Sequence, residues 1–345
     1  MELTKMNVAI YGAGAMGTVL GTFLAQAGEK VDLITRNEEH VEAMNRYGAQ
    51  VTGSVEMTER VNAFLPADMK RNYDIIFLIT KQLDNKAVVQ HLIKFLRKDG
   101  VICTMQNGIP EIGIAEVVGE EKTYGCTMNW AASFVRAGVV KLTSENNPKS
   151  LSFGLGSFHH HDSPHLREIQ RLLSMMGEVT IEENFAGVRW SKLLINSGFN
   201  GLSAILGTTL GEIAKNKTSR RIFQALLKEC MDVAEKSDIK IAKIQGVDVV
   251  KLINYRSKLK KRFSFKLIPI LLKKHQHSVS STYQDIKKGV PTEIEAINRI
   301  IVRYGVDVGV ATPFNSRVIQ LVKELEAGKL SQNMGNLALF QDLLK

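Results

Sequence analysis

The sequence predicts an α/β N-terminal domain followed by an all-α C-terminal domain, and three observations carry that reading. Asn7-Val8-Ala9-Ile10-Tyr11 is a β-prone run that leads at once into Gly12-Ala13-Gly14-Ala15-Met16-Gly17, a helical stretch from Thr18 to Ala27, and a second β-prone run, Val31-Asp32-Leu33-Ile34. Further apolar runs at 73–80 and 100–105 read as buried parallel strands with a helix between them. From Ala186 onward the pattern is helical. The expected domains are therefore residues 1–185 and 186–345.

Strand, G-x-G-x-x-G, helix and strand in that order form a dinucleotide-binding fingerprint. Gly12 permits the tight turn, Gly14 lets the backbone approach a pyrophosphate, and Gly17 lets helix and strand pack closely. The helix N-terminus offers unpaired N–H donors to the phosphates. An ordinary glycine-rich turn is the alternative, and the flanking elements weigh against it. An NAD site places a carboxylate at the end of the second strand, whereas an arginine there suits a 2′-phosphate. Arg36 occupies that end, and Asp32 sits too early to reach a ribose. A guanidinium presents two parallel donors to phosphate, so NADP is favoured over NAD, with a solvated loop arginine as the alternative.

At 345 residues the chain is long enough for two cores. No apolar run reaches the length of a membrane span: the stretch 263–272 is short and carries Lys266 and Pro269. The N-terminus shows no signal-peptide core. Cys103, Cys126 and Cys230 lack metal-type spacing and read as reduced thiols of a cytoplasmic protein. The net charge of +10 has a local origin. No acid occurs from Val249 to Gln284, while Lys251, Arg256, Lys258, Lys260, Lys261, Arg262, Lys266, Lys273 and Lys274 fall there. Such a run is either a solvated face or an anion-seeking surface.

Taken in order, residues 38–47 read as a helix and 49–63 as short strands and turns. The strand at 73–80 ends at Lys81, with a helix expected through about Leu96, and the strand at 100–105 ends at Gln106-Asn107-Gly108. Ligands of open α/β sheets bind outside such carboxyl ends. Residues 123–156 read as several strands, 163–176 as an amphipathic helix and 178–182 as a last strand. Consecutive His159, His160 and His161 point in different directions on any regular element, so no metal is expected there. In the second domain Lys192, Asn196 and Asn200 follow at i, i+4 steps, which places them on one helix face. The apolar neighbours Leu193, Leu194 and Ile195 suggest a largely buried helix, where a lysine is suited to proton transfer or carbonyl polarisation. Further helices are expected at 219–237 and 247–261, and one opening at Thr292-Glu293, with Thr292 as cap.

These ordered motifs resemble the ketopantoate reductase family (2-dehydropantoate 2-reductases) over nearly the whole chain. The resemblance rests on Gly12-x-Gly14-x-x-Gly17, Lys81, Gln106-Asn107-Gly108, Trp190-x-Lys192-x-x-x-Asn196-x-x-x-Asn200, Ser281-x-x-Gln284-Asp285 and Thr292-Glu293-Ile294-Glu295-x-x-Asn298. It implies a Rossmann-like domain followed by a helical domain for substrate binding and dimerisation. It further implies NADPH as hydride donor to the ketone of a 2-oxo acid. On that resemblance Lys192 and Glu293 would be catalytic, Lys192 giving a proton to the developing alkoxide and Glu293 positioning substrate and lysine. Gly12, Ala13, Gly14, Ala15, Met16, Gly17, Arg36, Lys81 and Asn107 would bind the cofactor. Asn107, Asn196, Asn200 and Ser281 would bind substrate.

The resemblance also has departures. The stretch from about 245 to 277 is longer and more basic than in compact relatives, Ser278 replaces a frequent asparagine, and Arg299 replaces a glycine. Reduction of 2-dehydropantoate to pantoate, a step in pantothenate and coenzyme A synthesis, is the leading expectation. A reductase of the same mechanism for a bulkier or more anionic 2-oxo acid is the alternative, followed by a non-catalytic NADP(H)- or anion-surface-binding protein. Expected partners are a small-molecule 2-oxo acid and a second copy in a homodimer, with no specific nucleic acid and no membrane span.

Overall fold

The computed structural model of the protein describes residues 6–70, 72–159 and 162–345. The chain divides into two compact units. Asn107–Ile109 and Ala186–Lys345 form the second, and the remaining residues form the first.

The first unit opens with β1 (Val8–Tyr11), α1 (Ala15–Gln26), β2 (Val31–Ile34) and α2 (Glu38–Tyr47). Short strands β3 (Ala49–Gly53), β4 (Met57–Glu59) and β5 (Asn62–Phe64) lead to β6 (Tyr73–Leu78) and α3 (Asn85–Leu92). Then come β7 (Leu96–Thr104), α4 (Glu111–Val118), β8 (Thr123–Met128), β9 (Ala132–Arg136) and β10 (Val139–Leu142). β11 (Phe153–Gly156), α5 (Pro164–Leu173) and β12 (Val179–Ile181) complete it.

The main sheet runs β12-β11-β8-β7-β6-β1-β2-β5, and β4-β3-β10-β9 form a second sheet. From β8 to β5 every neighbouring pair is parallel. All four residues of β1 are buried, as a strand covered on both faces requires. From β1 the chain passes through α1 to β2 on one side and later returns to β6 on the other. That reversal is a topological switch point, where the strand ends open a crevice.

The helix and strand that follow β6 depart furthest from the sequence reading. The helix expected through Leu96 ends at Leu92, and a tight turn at Ile93–Phe95 hands the chain to β7 already at Leu96. After Leu96, β7 continues with Arg97-Lys98-Asp99, all exposed, so no apolar run announces it.

The second unit is helical: α6 (Phe185–Leu206), α7 (Leu210–Lys215), α8 (Lys217–Lys236), α9 (Val249–Ile253), α10 (Lys258–Leu272), α11 (Ser281–Lys288), α12 (Ile294–Asp307) and α13 (Pro313–Glu326). The single helix expected at 247–261 is two. Asp248 accepts the Lys251 N–H and Ser257 accepts the Lys260 N–H, so each side chain starts its own helix. α10 then continues through Pro269, eleven residues beyond the expected end at Lys261. Glu229 of α8 accepts the backbone N–H groups of Phe314 and Asn315 and the Asn315 amide, closing the first turn of α13. Burial pushes the Glu229 carboxyl up from its usual range, against those three donors. Among the described residues no helix is long and apolar enough to cross a membrane.

Candidate functional site

The glycine loop of the first unit has the geometry its spacing predicts. Gly12 has φ +109°, and a Cβ on it would lie 2.6 Å from the backbone nitrogen of Thr80. A Cβ on Gly17 would lie 2.5 Å from the Gly12 carbonyl oxygen, so α1 can cross the loop only without a side chain there. Gly14 differs. A Cβ on it would meet nothing within 4 Å. Protein packing therefore does not demand this glycine, whereas a pyrophosphate drawn up to the backbone would. Gly14 is also the N-cap of α1 and supplies no capping side chain, which leaves the amides of Ala15 and Met16 for a ligand. The amides of Gly12 and Ala13 are engaged by the Ile34 carbonyl, tying the loop to the end of β2.

Arg36 stands exposed two residues past β2 and donates to the Tyr11 hydroxyl. Burial pushes the Tyr11 phenol up, and the Arg36 charge pulls against that shift. Asp32 is buried and accepts from Tyr73 Oη at 2.9 Å and Asn62 Nδ2 at 3.3 Å. It is a structural carboxylate, turned into the sheet. Lys81 is exposed next to Thr80, the residue that packs on Gly12, so the loop after β6 carries it to the glycine loop.

Gln106 is a residue the sequence reading left without a role. Its Nε2 donates to the Thr80 carbonyl and to Asn85 Oδ1, both at 2.8 Å, and its Oε1 accepts from Asn85 Nδ2 at 2.9 Å and Thr104 Oγ1 at 3.0 Å. This clamp fixes the loop after β6 to the loop after β7, and with it the base of Lys81. Its signals in the sequence were its place at the end of an apolar strand and in the Gln106-Asn107-Gly108 motif.

In the second unit α6 carries Lys192, Asn196 and Asn200 along one face. The first two are half-buried, and Asn200 is 6% exposed. Asn107 Nδ2 lies 3.5 Å from Glu293 Oε2, and Glu293 is 8% exposed. Glu293 is itself the N-cap residue of α12, and it makes no capping bond with its side chain. The expected cap, Thr292, instead donates its hydroxyl to Glu326 at 2.7 Å and only weakly accepts the Ile294 N–H at 3.4 Å. Ser281 is the exposed first residue of α11. Its buried neighbour Ser280, unremarked in the sequence, accepts the Tyr283 N–H at 3.0 Å and donates to the Asn200 carbonyl at 2.9 Å. That pair ties the start of α11, which Ser281 opens, to α6 at Asn200.

An apolar cavity of about 410 Å³ lies in the same unit. Ile195 and Phe199 of α6 and Phe223 and Leu227 of α8 form one side, with Ile253 and Ile268 from the 245–277 stretch opposite. Ser278, where the resemblance suggests an asparagine, also lines it, with Gln245 and His275. The volume falls within the range of small-molecule sites.

Among the described residues no group of three His, Cys, Asp or Glu could hold a metal ion. His159 pairs with Glu120 at 3.1 Å, and His160 and His161 lie outside the described residues. The three cysteines are buried, and none is disulfide-bonded.

Two family models match the chain: ketopantoate reductase PanE/ApbA over residues 8–155, and ketopantoate reductase PanE/ApbA C terminal over residues 184–326. The 2-dehydropantoate 2-reductase of Pyrococcus horikoshii is 27% identical over 325 residues, which cover 93% of this chain and 98% of that protein. The corresponding protein of Streptococcus pyogenes is 23% identical over the same shares. Among solved structures, D-mandelate dehydrogenase with NADH and anilino(oxo)acetate is similar at a TM-score of 0.79 and 27% identity, covering 94% of this chain and 99% of that one. A PanE/ApbA family ketopantoate reductase from Ralstonia eutropha shares the fold at a TM-score of 0.79 and 24% identity, with 94% and 99% covered.

Proposed function

The chain belongs to the ketopantoate reductase family, and we propose that it reduces the ketone of a 2-oxo acid with NADPH, 2-dehydropantoate being the first substrate to test. The product would be pantoate, a precursor of pantothenate and coenzyme A. The observation that carries this reading is the single face of α6 on which Lys192, Asn196 and Asn200 stand, with the start of α11 tied to α6 by the Ser280–Asn200 bond.

When bound, NADPH supplies a hydride to the ketone carbon. The glycine loop holds its pyrophosphate through the open backbone at Gly14 and the first amides of α1, with Ala13, Ala15 and Met16 lining the turn. Arg36 and Lys81 receive the 2′-phosphate and neighbouring charge, and Asn107 orients the carboxamide end. Negative charge grows on the ketone oxygen as the reaction proceeds, and an ammonium beside it lowers the barrier and then gives up a proton. Lys192 fills that role. Glu293 orients the lysine and the substrate, and its 3.5 Å approach to Asn107 couples it to the other polar group expected there. Asn196 and Asn200 hydrogen-bond the substrate's polar groups, and Ser281 receives its carboxylate.

A second reading keeps this mechanism and changes the acid. It is favoured by the 410 Å³ apolar cavity beside α6, and the D-mandelate dehydrogenase similarity fits it, since that relative was captured with anilino(oxo)acetate, an aryl-substituted oxo acid. The test is NADPH oxidation by the purified protein, with 2-dehydropantoate beside a panel of other 2-oxo acids. Turnover of 2-dehydropantoate far above the rest supports the first reading. Tight NADPH binding with feeble turnover of that acid alone supports the second. Absence of both binding and turnover refutes the two together.

A further inference from the structure

The apolar cavity is lined by Ile195 and Phe199 of α6, the helix that carries Lys192, while Lys192, Asn196 and Asn200 themselves do not line it. Seven residues of α-helix turn through almost two full rotations, so Phe199 falls within about 20° of Lys192 around the axis of α6. Ile195 and Phe199 each precede an amide of the same face, Asn196 and Asn200, by one residue. A molecule whose ketone meets Lys192 thus has an apolar wall within two turns of the helix.

The opposite wall comes from the 245–277 stretch. Val249 and Ile253 of α9 and Ile268 and Leu271 of α10 face the cavity, and Ile253 and Ile268 are almost fully buried. No Lys, Arg, Asp or Glu lines it, although nine basic residues lie between 249 and 284, and the polar members of the lining are Gln245, His275 and Ser278. The stretch therefore has two faces, with its charges turned elsewhere and its aliphatic side chains inward. A tight turn at Gln245 and Gly246, both with positive φ, closes the Ile244–Val247 bridge and holds the start of that wall. Apart from Gln245, His275 and Ser278, the lining is aliphatic and aromatic, so it gains from every methylene it covers and offers an anionic substituent no permanent positive charge.

We propose that this cavity receives the side chain of the 2-oxo acid, so that the protein prefers acids with a large apolar substituent, branched aliphatic or aryl, to small or hydroxylated ones. The proposal rests on the 2-oxo acid reductase reading and sharpens its substrate. The basic charge of the stretch then has no part in substrate choice.

The experiment measures kcat/KM at saturating NADPH for pyruvate, 2-dehydropantoate, 4-methyl-2-oxopentanoate and phenylglyoxylate, on the wild type and on Val249→Trp. Val249 is half-buried at the cavity wall, so the added ring can enter the space without displacing the core. Each buried carbon is expected to raise kcat/KM about 4-fold, which puts 4-methyl-2-oxopentanoate about 50-fold above pyruvate. Val249→Trp is expected to bring that ratio below about 5-fold on the same basis. A wild-type series in which pyruvate and the branched acid are equal overturns the proposal and leaves the reductase reading standing, whatever the variant does. So does a ratio that survives Val249→Trp in a folded variant. If no 2-oxo acid is turned over, the reductase reading fails, and calorimetry with 4-methylpentanoate decides the cavity. Binding by the wild type that weakens at least about 10-fold in Val249→Trp supports an apolar acid site, and absence of binding overturns it.

Discussion

The hydroxyl of Ser280 donates to the backbone carbonyl of Asn200 at 2.9 Å while accepting the Tyr283 N–H at 3.0 Å, so one side chain both caps α11 and ties it to α6. Its neighbour Ser281 is exposed and caps nothing. The two serines should therefore separate structure from binding. Ser280→Ala removes an N-cap and is expected to cost about 1–2 kcal/mol of stability, read as a lowered urea midpoint. Ser281→Ala should leave that midpoint in place and raise KM for the 2-oxo acid. A stability loss in Ser281→Ala of the same size would refute the division of labour.

Lys192 is expected to act in the chemical step and not in cofactor binding. Loss of a positioned proton donor lowers rates by about 10²–10⁴-fold. Lys192→Ala should show a drop of that size in kcat with NADPH affinity, followed by fluorescence titration, within a few-fold of the wild type. A variant that retains kcat would remove the lysine from the mechanism.

The parts of this protein legible in its sequence are those with local causes. The roles of Gly12 and Gly17 follow from one loop and the helix after it, and the Lys192, Asn196 and Asn200 face follows from helical period alone. What stayed hidden depends on contacts distant in sequence. Gln106 reaches Thr80 and Asn85 across 26 and 21 residues, and no periodicity marks such a clamp. The cavity needs side chains from α6, α8, α9 and α10 together. The split of the 247–261 helix had a signal, since Asp248 and Ser257 are good N-caps, but the helix-forming lysines and leucines around them masked it. Short α7 was beyond the reach of periodicity, since six residues hold fewer than two turns.

Arg36 bears on cofactor choice. Its guanidinium lies near the Tyr11 hydroxyl at the end of β2, and Asp32, a carboxylate of that strand, is held by Tyr73 and Asn62. With Asp32 turned into the sheet, selectivity for NADPH should reside largely in this arginine. Arg36→Asp is expected to reduce the NADPH/NADH ratio of kcat/KM by about 10–100-fold, the loss of one or two charge-assisted hydrogen bonds. An unchanged ratio would assign phosphate recognition to another residue.

The last prediction concerns pH and the glycine loop. His40 Nδ1 lies 2.8 Å from the Gly138 nitrogen, and because a backbone N–H can only donate, Nδ1 must be the unprotonated acceptor. Nε2 then carries the hydrogen and donates to Thr18 Oγ1 at 3.0 Å, and Thr18 in turn reaches the Ala13 carbonyl at 3.4 Å. The fold thus requires a neutral imidazole, and burial pushes the His40 pKa down. A histidine depressed in the folded state contributes full stability above its unfolded pKa, near 6.5. That contribution is lost as pH falls toward the folded value, because the unfolded chain takes up the proton first. Protonation also strips the buried Gly138 amide of its acceptor, a loss of about 1–3 kcal/mol. The melting temperature should therefore fall between pH 7 and 5 more steeply in the wild type than in His40→Gln, which starts lower and has no imidazole to titrate. NADPH affinity should weaken over the same interval in the wild type, because the chain of bonds ends on the loop that holds it. Parallel melting profiles for the two proteins would show that His40 does not titrate in this range.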